Sequence, residues 1–337
     1  MPTGQTVQVA SDIYRAIRTD FVGTYKKTYD GLEKMLGAVM SFGKPSDKLT
    51  EYYGYFESAP YAARWDYGED IPEKSFKSVA FNTTNYRYAR RITWLEDMRE
   101  DEQLRDLPSQ AATCGEHFAI LPEIARYEIL SGTASVLPAI PNAPDGVAIA
   151  SATDGGGGAR FGISGGNIIS GGGVTSAQLI ITDIFAAVVR ILNFQDTESQ
   201  PLWNTNILSK GLTIEYGVAN EEVFGRALRQ LRQVETAGTA GTDLAAAAVT
   251  NFVKDYGLSI NAVPTQRISD NDWWVSINNP PVPTTFEQVR RPLRERTAYG
   301  ADNNSDHVRT TGEEYVQWDS RLGFGVGPAY SIVKVNN

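Results

Sequence analysis

Two groups of residues have the types and the order that hydrolysis would need. The stretch Gly162-Ile163-Ser164-Gly165-Gly166 matches the G-x-S-x-G pattern of a serine nucleophile, and an aspartate and then His307 follow it in hydrolase order. Asp270 and Asp272, two residues apart and beside two tryptophans, would also suit the paired carboxylates of a sugar-cleaving site. A hydrolase that uses Ser164, or the Asp270/Asp272 pair, is therefore the enzymatic alternative.

The sequence around these residues argues against catalysis. A serine nucleophile needs a sharp turn from a strand into a helix, but Ser164 lies inside a glycine-rich stretch, residues 154–173, that predicts a loop on both sides. Aspartates directly before a strand, as at Asp270 and Asp272, are common turn residues. The chain has 2 histidines and 1 cysteine, which leaves few bases and excludes a cysteine metal cluster. We therefore expect no catalytic residue.

Two binding motifs are present only in part. The glycine-rich stretch lacks the Gly-Lys-Ser/Thr ending of a phosphate loop and the G-x-G-x-x-G of a dinucleotide site. Asp302, Asn304 and Asp306 alternate, and Glu313 follows at the closing position of a calcium loop, but His307 takes the place of the required glycine. We interpret this segment as a solvated loop, and we expect no cofactor and no metal ion.

The composition is that of a folded chain with an acidic surface. Of 337 residues, 42% are hydrophobic and 21% are charged, with a formal net charge of -9. This length allows about two domains or one elaborated domain. The excess of acidic residues argues against a protein whose whole surface binds nucleic acid. No apolar run approaches the roughly 20 residues of a membrane-spanning helix, and the first residues lack the pattern of a secretory signal. We therefore expect no membrane contact and disfavour a surface-layer or adhesion protein.

Two long helical segments are predicted in the first part of the chain. Apolar residues at three- and four-residue steps predict a helix from Ser11 to Phe42, which would be either a core helix or an arm on another subunit. A second segment runs from Ser109 to Leu130 and closes at Gly132, and Pro122 should kink or split it.

A long hairpin is predicted between these helices. Ser75–Phe81 and Tyr86–Trp94 have the composition of strands, and Asn82-Thr83-Thr84-Asn85 between them has the composition of a turn. On the second strand, Ile92 and Trp94 share one face. Such a hairpin has no core of its own, and an isolated two-stranded hairpin is marginally stable.

The second half of the chain predicts further helices and strands in no strict alternation. A helix from Ala177 to Asn193 follows a cap at Thr175 or Ser176, and another helix follows a cap at Asn220. The strand patterns are residues 212–216, 258–263, 273–277, 286–295 and 314–322. This mixture favours an α+β fold.

The order of several short motifs resembles the major head subunits of Mu-like phages, which are capsid proteins with the HK97 fold. The resemblance covers most of residues 50–330, and the order and spacing of the motifs carry it. They are Tyr52-Tyr53-Gly54-Tyr55, Arg64-Trp65, Leu95-Glu96-Asp97, Asn193-Phe194-Gln195-Asp196, Asp272-Trp273-Trp274, Phe286-Glu287-Gln288-Val289-Arg290, and the stretch from Trp318 to Gly325.

The resemblance implies an α+β fold of the HK97 type with an N-terminal arm, an extended E-loop hairpin, a P-domain with a long spine helix and long strands, and an A-domain. On this chain it implies the N-arm at 1–48, the E-loop region at 49–95, the P-domain spine helix at 96–135, the A-domain at 136–282, the P-domain strands at 283–322 and a return to the A-domain at 323–337.

The function that the resemblance implies is assembly of the head of a tailed bacteriophage. Subunits would close into hexamers and pentamers of an icosahedral shell that encloses double-stranded DNA without sequence-specific binding. Portal, scaffold and cement proteins are the other expected partners. The expected location is the virion, after synthesis in the host cytoplasm.

Charged residues in and after the predicted hairpin are the candidates for contacts between subunits. Bases on or beside its strands would pair with acids of the next subunit, although each pair is worth only about 0–1 kcal/mol where it stays solvated. The candidates are Lys74, Lys77, Arg87, Arg90 and Arg91, and Glu96, Asp97, Glu100 and Asp101.

Overall fold

The computed structural model describes residues 5–58, 77–95, 97–98, 104, 106–197, 199–203, 205–232, 258–298 and 306–337. Within these ranges the helices are α1 (Gln5–Leu36), α2 (Leu107–Ala119), α3 (Leu121–Ser131), α4 (Ala177–Leu192), α5 (Glu221–Arg232) and α6 (Asp306–Thr311). The strands are β1 (Met40–Pro45), β2 (Thr50–Ser58), β3 (Lys77–Thr84), β4 (Tyr86–Leu95), β5 (Ile168–Ser170), β6 (Leu212–Gly217), β7 (Ile260–Thr265), β8 (Trp273–Ile277), β9 (Thr285–Ala298), β10 (Glu313–Val326) and β11 (Ile332–Asn336).

The described strands form three sheets. A four-stranded sheet has the order β1-β9-β10-β4, a five-stranded sheet has the order β5-β11-β8-β6-β7, and β2 and β3 form a separate ribbon. β9 and β10 are the longest strands and run antiparallel, whereas β1 joins β9 in parallel. Long antiparallel strands combined with helices that do not alternate with them confirm the predicted α+β class.

One face of the four-stranded sheet is covered by α1 and α2, and we call it the inner face. The ring of Phe21 on α1 stacks on Trp318 of β10, with centroids 3.7 Å apart. The two helices approach closely at Gly115, because a Cβ atom there would lie 2.5 Å from the carbonyl oxygen of Phe21. The buried cluster between helices and sheet comprises Ile17, Phe21, Ile92, Trp94, Leu104, Leu107, Ala111, Phe118, Val316 and Trp318.

The N-terminal helix differs from the prediction at both ends. The predicted helix spans Ser11 to Phe42, but α1 already includes Gln5 and ends at Leu36, and β1 follows it. β1 pairs with β9, and this ladder between distant parts of the chain overrides the local apolar periodicity. Ile17 and Leu36 are fully buried within the same subunit. From residue 12 to residue 36, α1 therefore packs on the core of its own subunit, which supports the core-helix alternative for this part.

The hairpin predicted between residues 75 and 94 does not form. β3 pairs with β2, from Thr50 opposite Thr84 to Ser58 opposite Lys77. β4 instead pairs with β10 in the four-stranded sheet. Asn85, the single residue between β3 and β4, is buried, and its side-chain amide donates to Ser46 Oγ at 2.8 Å and to the Lys48 carbonyl at 2.8 Å. Asn85 therefore marks a switch of sheet rather than a hairpin turn.

Most of the other elements lie where the sequence predicted them. The segment predicted at Ser109–Leu130 is split into α2 and α3 at Ile120, with a proline in the first turn of α3, and it ends at Gly132 with a φ of 73°. The side chain of Ser176 caps α4 by accepting the Leu179 N–H. α4 and α5 pack on the five-stranded sheet, whose strands β6 and β8 are buried along their whole length. None of the described helices is long and apolar enough to cross a membrane.

Candidate functional site

The structure does not assemble the residues of a serine hydrolase. Ser164 is exposed in a turn before β5, and its carbonyl oxygen accepts a hydrogen bond from Arg190 at 2.6 Å. His307 lies on α6 beside the other sheet, with its Nε2 atom 3.5 Å from Glu313 and its ring against Tyr315. The nucleophile and the base of the proposed triad therefore lie beside different sheets.

The two aspartates before β8 have a structural role. Asp270 accepts the backbone N–H of Asp272 at 3.3 Å. Asp272 pairs with Lys334 Nζ on β11 at 2.5 Å and accepts the backbone N–H of Asn337 at 2.9 Å. Asp272 thus fixes β11 beside β8.

Among the described residues there is no group of three His, Cys, Asp or Glu side chains that could hold a metal ion. Asp302 and Asn304 of the calcium-like pattern lie outside the described residues.

A cleft of about 290 Å³ lies beside the glycine-rich loop, with walls that include Phe161, Leu202 and Tyr330. Arg160 at its edge is almost fully buried. Its guanidinium forms a two-point ion pair with Asp145, at 2.6 and 3.0 Å, and also donates to the carbonyls of Ala148 and Ile149. These bonds hold the start of the 160–166 turn against residues 145–149.

The residues predicted to contact other subunits are only partly within the described ranges. Lys74, Glu96, Glu100 and Asp101 lie outside them, and Lys77 begins β3 with a side chain that is not described. Asp97 is exposed. Arg87, Arg90 and Arg91 are exposed on β4. Because side chains alternate along a strand, Arg87 and Arg91 point away from α1 and α2, and Arg90 shares the side of Ile92.

Arginines gather around one buried aspartate on the face opposite the inner face, which we call the arginine face. Asp319 on β10 has no exposed surface, and its carboxylate pairs with Arg87 at 3.3 Å, Arg294 at 3.0 Å and Arg296 at 3.5 Å, and with Arg291. Of these residues, only Arg87 was predicted from the sequence, whereas Asp319 and three of the four arginines of β9, Arg291, Arg294 and Arg296, were not. The alternating arginines of Arg294-Glu295-Arg296 were the available signal, because alternate residues share a face of a strand.

The base of the β2–β3 ribbon is held against β9. The hydroxyl of Tyr53 donates to Gln288 Oε1 at 2.7 Å, and its ring meets the edge of Phe286 at 5.2 Å between centroids. Lys44 Nζ lies 3.6 Å from the centre of the Tyr53 ring, and burial lowers the pKa of Lys44. Gly325 leaves room for this packing, since a Cβ atom there would lie 2.3 Å from the Phe286 ring. These contacts therefore fix the base of the ribbon on the four-stranded sheet.

A buried ion pair connects the two large sheets. The Arg126 side chain on α3 is fully buried and donates to both carboxylate oxygens of Glu215 on β6, at 2.7 and 2.5 Å. The same guanidinium donates to Thr285 Oγ1 on β9 at 2.5 Å and to the Val39 carbonyl at 3.2 Å. Arg126 therefore joins β6 of the five-stranded sheet to β9 of the four-stranded sheet and to the residue before β1.

A second buried carboxylate holds α1 in place. Glu287 on β9 is 1% exposed, accepts the Gly43 N–H at 3.2 Å and accepts the Tyr29 hydroxyl. Burial raises the pKa of Glu287, with a further rise from the nearby Glu33 charge, and the two hydrogen bonds oppose it without reversing the direction. Burial and the Glu287 charge also raise the pKa of Tyr25 to about 12.

This raised pKa predicts a pH dependence of stability. A carboxyl group whose folded pKa lies above its unfolded value, about 4.3, gives full stability below that value and loses it as pH rises through the folded pKa. Glu287→Gln should therefore flatten the fall in unfolding free energy above about pH 4.3, which urea unfolding at a series of pH values measures. The control is Glu222→Gln, an exposed carboxylate on α5. An unchanged slope in the Glu287 variant would contradict the prediction.

Comparison with known proteins gives a structural match but no sequence match. No protein-family model and no curated protein matches the chain. The structure is similar to the capsid of Cyanophage P-SCSP1u, with a TM-score of 0.55 and 10% identity over 89% of this chain and 86% of that chain. It is also similar to a structure from Microbacterium phage Oxtober96, with a TM-score of 0.51 and 12% identity, and to the capsid of an empty GTA particle, with a TM-score of 0.50 and 10% identity, each over 90% of both chains. The HK97-type capsid fold predicted from the sequence is confirmed.

Proposed function

We propose that the chain is the major capsid protein of a tailed bacteriophage, which assembles into hexamers and pentamers of an icosahedral shell. The observation that carries the proposal is a fold shared with capsid structures over about nine-tenths of both chains. A fold alone does not fix a function. The ribbon adds support, because β2 and β3 form a separate two-stranded element, and an element of this kind is marginally stable without a partner.

The domains follow from the same proposal. The four-stranded sheet with α1, α2 and α3 would be the P-domain, the five-stranded sheet the A-domain, and residues 50–84 the E-loop. This proposal revises the N-arm at 1–48 and the E-loop region at 49–95, because α1 packs on the four-stranded sheet and β4 belongs to it. β11 lies in the five-stranded sheet, which supports a return of the chain to the A-domain. β10 pairs with β9 as far as Val326, so we move the start of that return from residue 323 to residue 327.

The subfamily, partners and location are further parts of the proposal. The order of the sequence motifs, with Arg64-Trp65 early and Asp272-Trp273-Trp274 late, supports a Mu-like head subunit. A portal, a scaffold and a cement protein would be its other partners. The shell would hold double-stranded DNA without sequence-specific binding, and the protein would reside in the virion after synthesis in the host cytoplasm.

The proposed role is structural rather than enzymatic. The separation of Ser164 from His307, and the ion pair of Asp272 with Lys334, give the hydrolase alternative no support.

Negative-stain microscopy of the purified chain tests the proposal. We expect capsomers, shells or tubes, and we expect Ser164→Ala to assemble like the unaltered chain. A chain that stays monomeric under all assembly conditions and hydrolyses ester or glycoside substrates would refute the proposal.

A further inference from the structure

The arginine face is more basic than any single strand suggests. Strand alternation and register place on it six arginines from three strands, whereas its carboxylates among the described residues are Asp319 and Glu313. The six are Arg87, Arg91, Arg291, Arg294, Arg296 and Arg321.

Asp319 orders these arginines without neutralising them. One carboxylate carries a single negative charge, and four guanidinium groups surround it. The side chains of Arg87 and Arg296 remain 48% and 49% exposed. The face is therefore a preorganised, solvent-accessible surface for a negatively charged partner.

The chain itself contains a segment of matching charge. Residues 96–102, Glu-Asp-Met-Arg-Glu-Asp-Glu, hold five carboxylates and one arginine, and we call them the acidic run. Leu95, before the run, ends β4, and Leu104, after it, is buried in the cluster on the inner face. The run is thus tied at both ends to one end of the sheet.

This tether keeps the acidic run away from most of its own arginine face. Eight residues separate Leu95 from Leu104, so a loop between them reaches about 15 Å outward and back. Asp319 lies opposite Ala89, six residues along β4 from Leu95, which is about 20 Å. Arg87 and Arg321, opposite each other, lie still farther along the strand. The run of the same subunit cannot cover these arginines.

We infer that the arginine face of one subunit binds the acidic run of a neighbouring copy. The inference rests on the proposed function and names the contact that would link subunits. A contact between two different surfaces, face and run, is heterologous and closes into a ring when its rotation permits. The acidic run of the chain itself supplies the charge that complements the face, which favours a second copy over DNA as the occupant.

Charge reversal tests the contact. The face variant is Arg91→Glu with Arg321→Glu, which retains the four arginines that pair with Asp319. The run variant is Glu100→Arg with Asp101→Arg, and it leaves the sheet unchanged. We expect each variant alone to lower the assembled fraction in sedimentation by about tenfold or more, and the combination of both in one chain to restore it. The control is Arg226→Glu with Arg229→Glu on α5, which changes the net charge equally and should assemble normally.

Mixing the two variants distinguishes a contact between subunits from one within a subunit. In a mixture, the acidic face of one variant meets the basic run of the other, and the unaltered run of the first meets the unaltered face of the second. In a ring of six, the two variants can alternate, so every acidic face or run meets a basic partner. In a ring of five, two copies of the same variant must be neighbours, so one contact joins like charges. We therefore expect hexamers and sheets or tubes from the mixture, without closed shells.

The outcomes separate this inference from the proposed function. If the unaltered chain assembles and the run variant assembles equally well, the inference is wrong and the proposed function stands. If the face variant forms normal shells but loses salt-dependent binding of DNA, the occupant is nucleic acid and the inference is wrong. If the unaltered chain never assembles, both fail.

Discussion

Replacing residues 59–76 by a two-residue Asn-Gly turn is expected to abolish shell formation while the subunit remains folded. Ser58 and Lys77 face each other across the ribbon, so a short turn can close β2 and β3 directly. The packing of Tyr53 on Phe286 at the ribbon base stays intact. The shorter loop should raise the unfolding free energy by no more than about 2 kcal/mol. Urea unfolding measures the stability, and negative-stain microscopy measures assembly.

A Gly/Ser segment of the original length is the matched control for this deletion. It keeps the length of the connection but removes its side chains, and we expect it to fail in assembly as well. Normal shells from both variants would show that residues 59–76 make no necessary contact between subunits. A wider deletion, of residues 70–90, would be uninformative, since it removes β3 and half of β4 from the body.

Arg126→Met is expected to lower the unfolding free energy by about 3–5 kcal/mol, because it leaves Glu215 as an unpaired charge in a fully buried site. The loss also removes the hydrogen bonds to Thr285 and to the Val39 carbonyl. Urea unfolding at neutral pH measures the change in midpoint and in slope.

The double variant Arg126→Met with Glu215→Met is the control for the buried charge. Removing both members of a buried ion pair is often far less damaging than removing one. We expect the double variant to be more stable than Arg126→Met alone. Equal stability of the two would mean that the unpaired carboxylate of Glu215 is not the source of the loss.

Elements with a strong local pattern could be predicted from the sequence. The apolar periodicity predicted α4, the caps and charges predicted α5, and β-branched and aromatic runs predicted β6 and β8. Pro122 predicted the break between α2 and α3. In each case the residues that cause the helix, strand or break lie within the element itself or directly beside it, so a short stretch of sequence is enough to predict it.

Elements that depend on distant partners could not be predicted in this way. The four residues Asn82–Asn85 have the composition of a hairpin turn, but β3 pairs with β2 and β4 pairs with β10, so the chain changes sheet there. β1 continues an apolar stripe that suits a helix equally well, and its pairing with β9 decides otherwise.

The candidate site shows the same limit. The bases of β4 were visible as a cluster in the sequence. Asp319 lies more than 200 residues from Arg87, and the register of β4 against β10 brings them together. Local sequence holds no information on that register, so the centre of the arginine face could not be found before the fold was known.

The place of β10 and β11 in the two large sheets has a consequence for synthesis. β10 lies between β9 and β4, and β11 lies between β5 and β8, so each sheet stays split until residues 313–336 have left the ribosome. Pairing over such sequence separations is slow, because closing a long loop costs chain entropy before any stabilising contact forms. Until then a nascent chain presents unpaired strand edges. The chain would become competent to join its sisters only after β10 and β11 have paired with their neighbours.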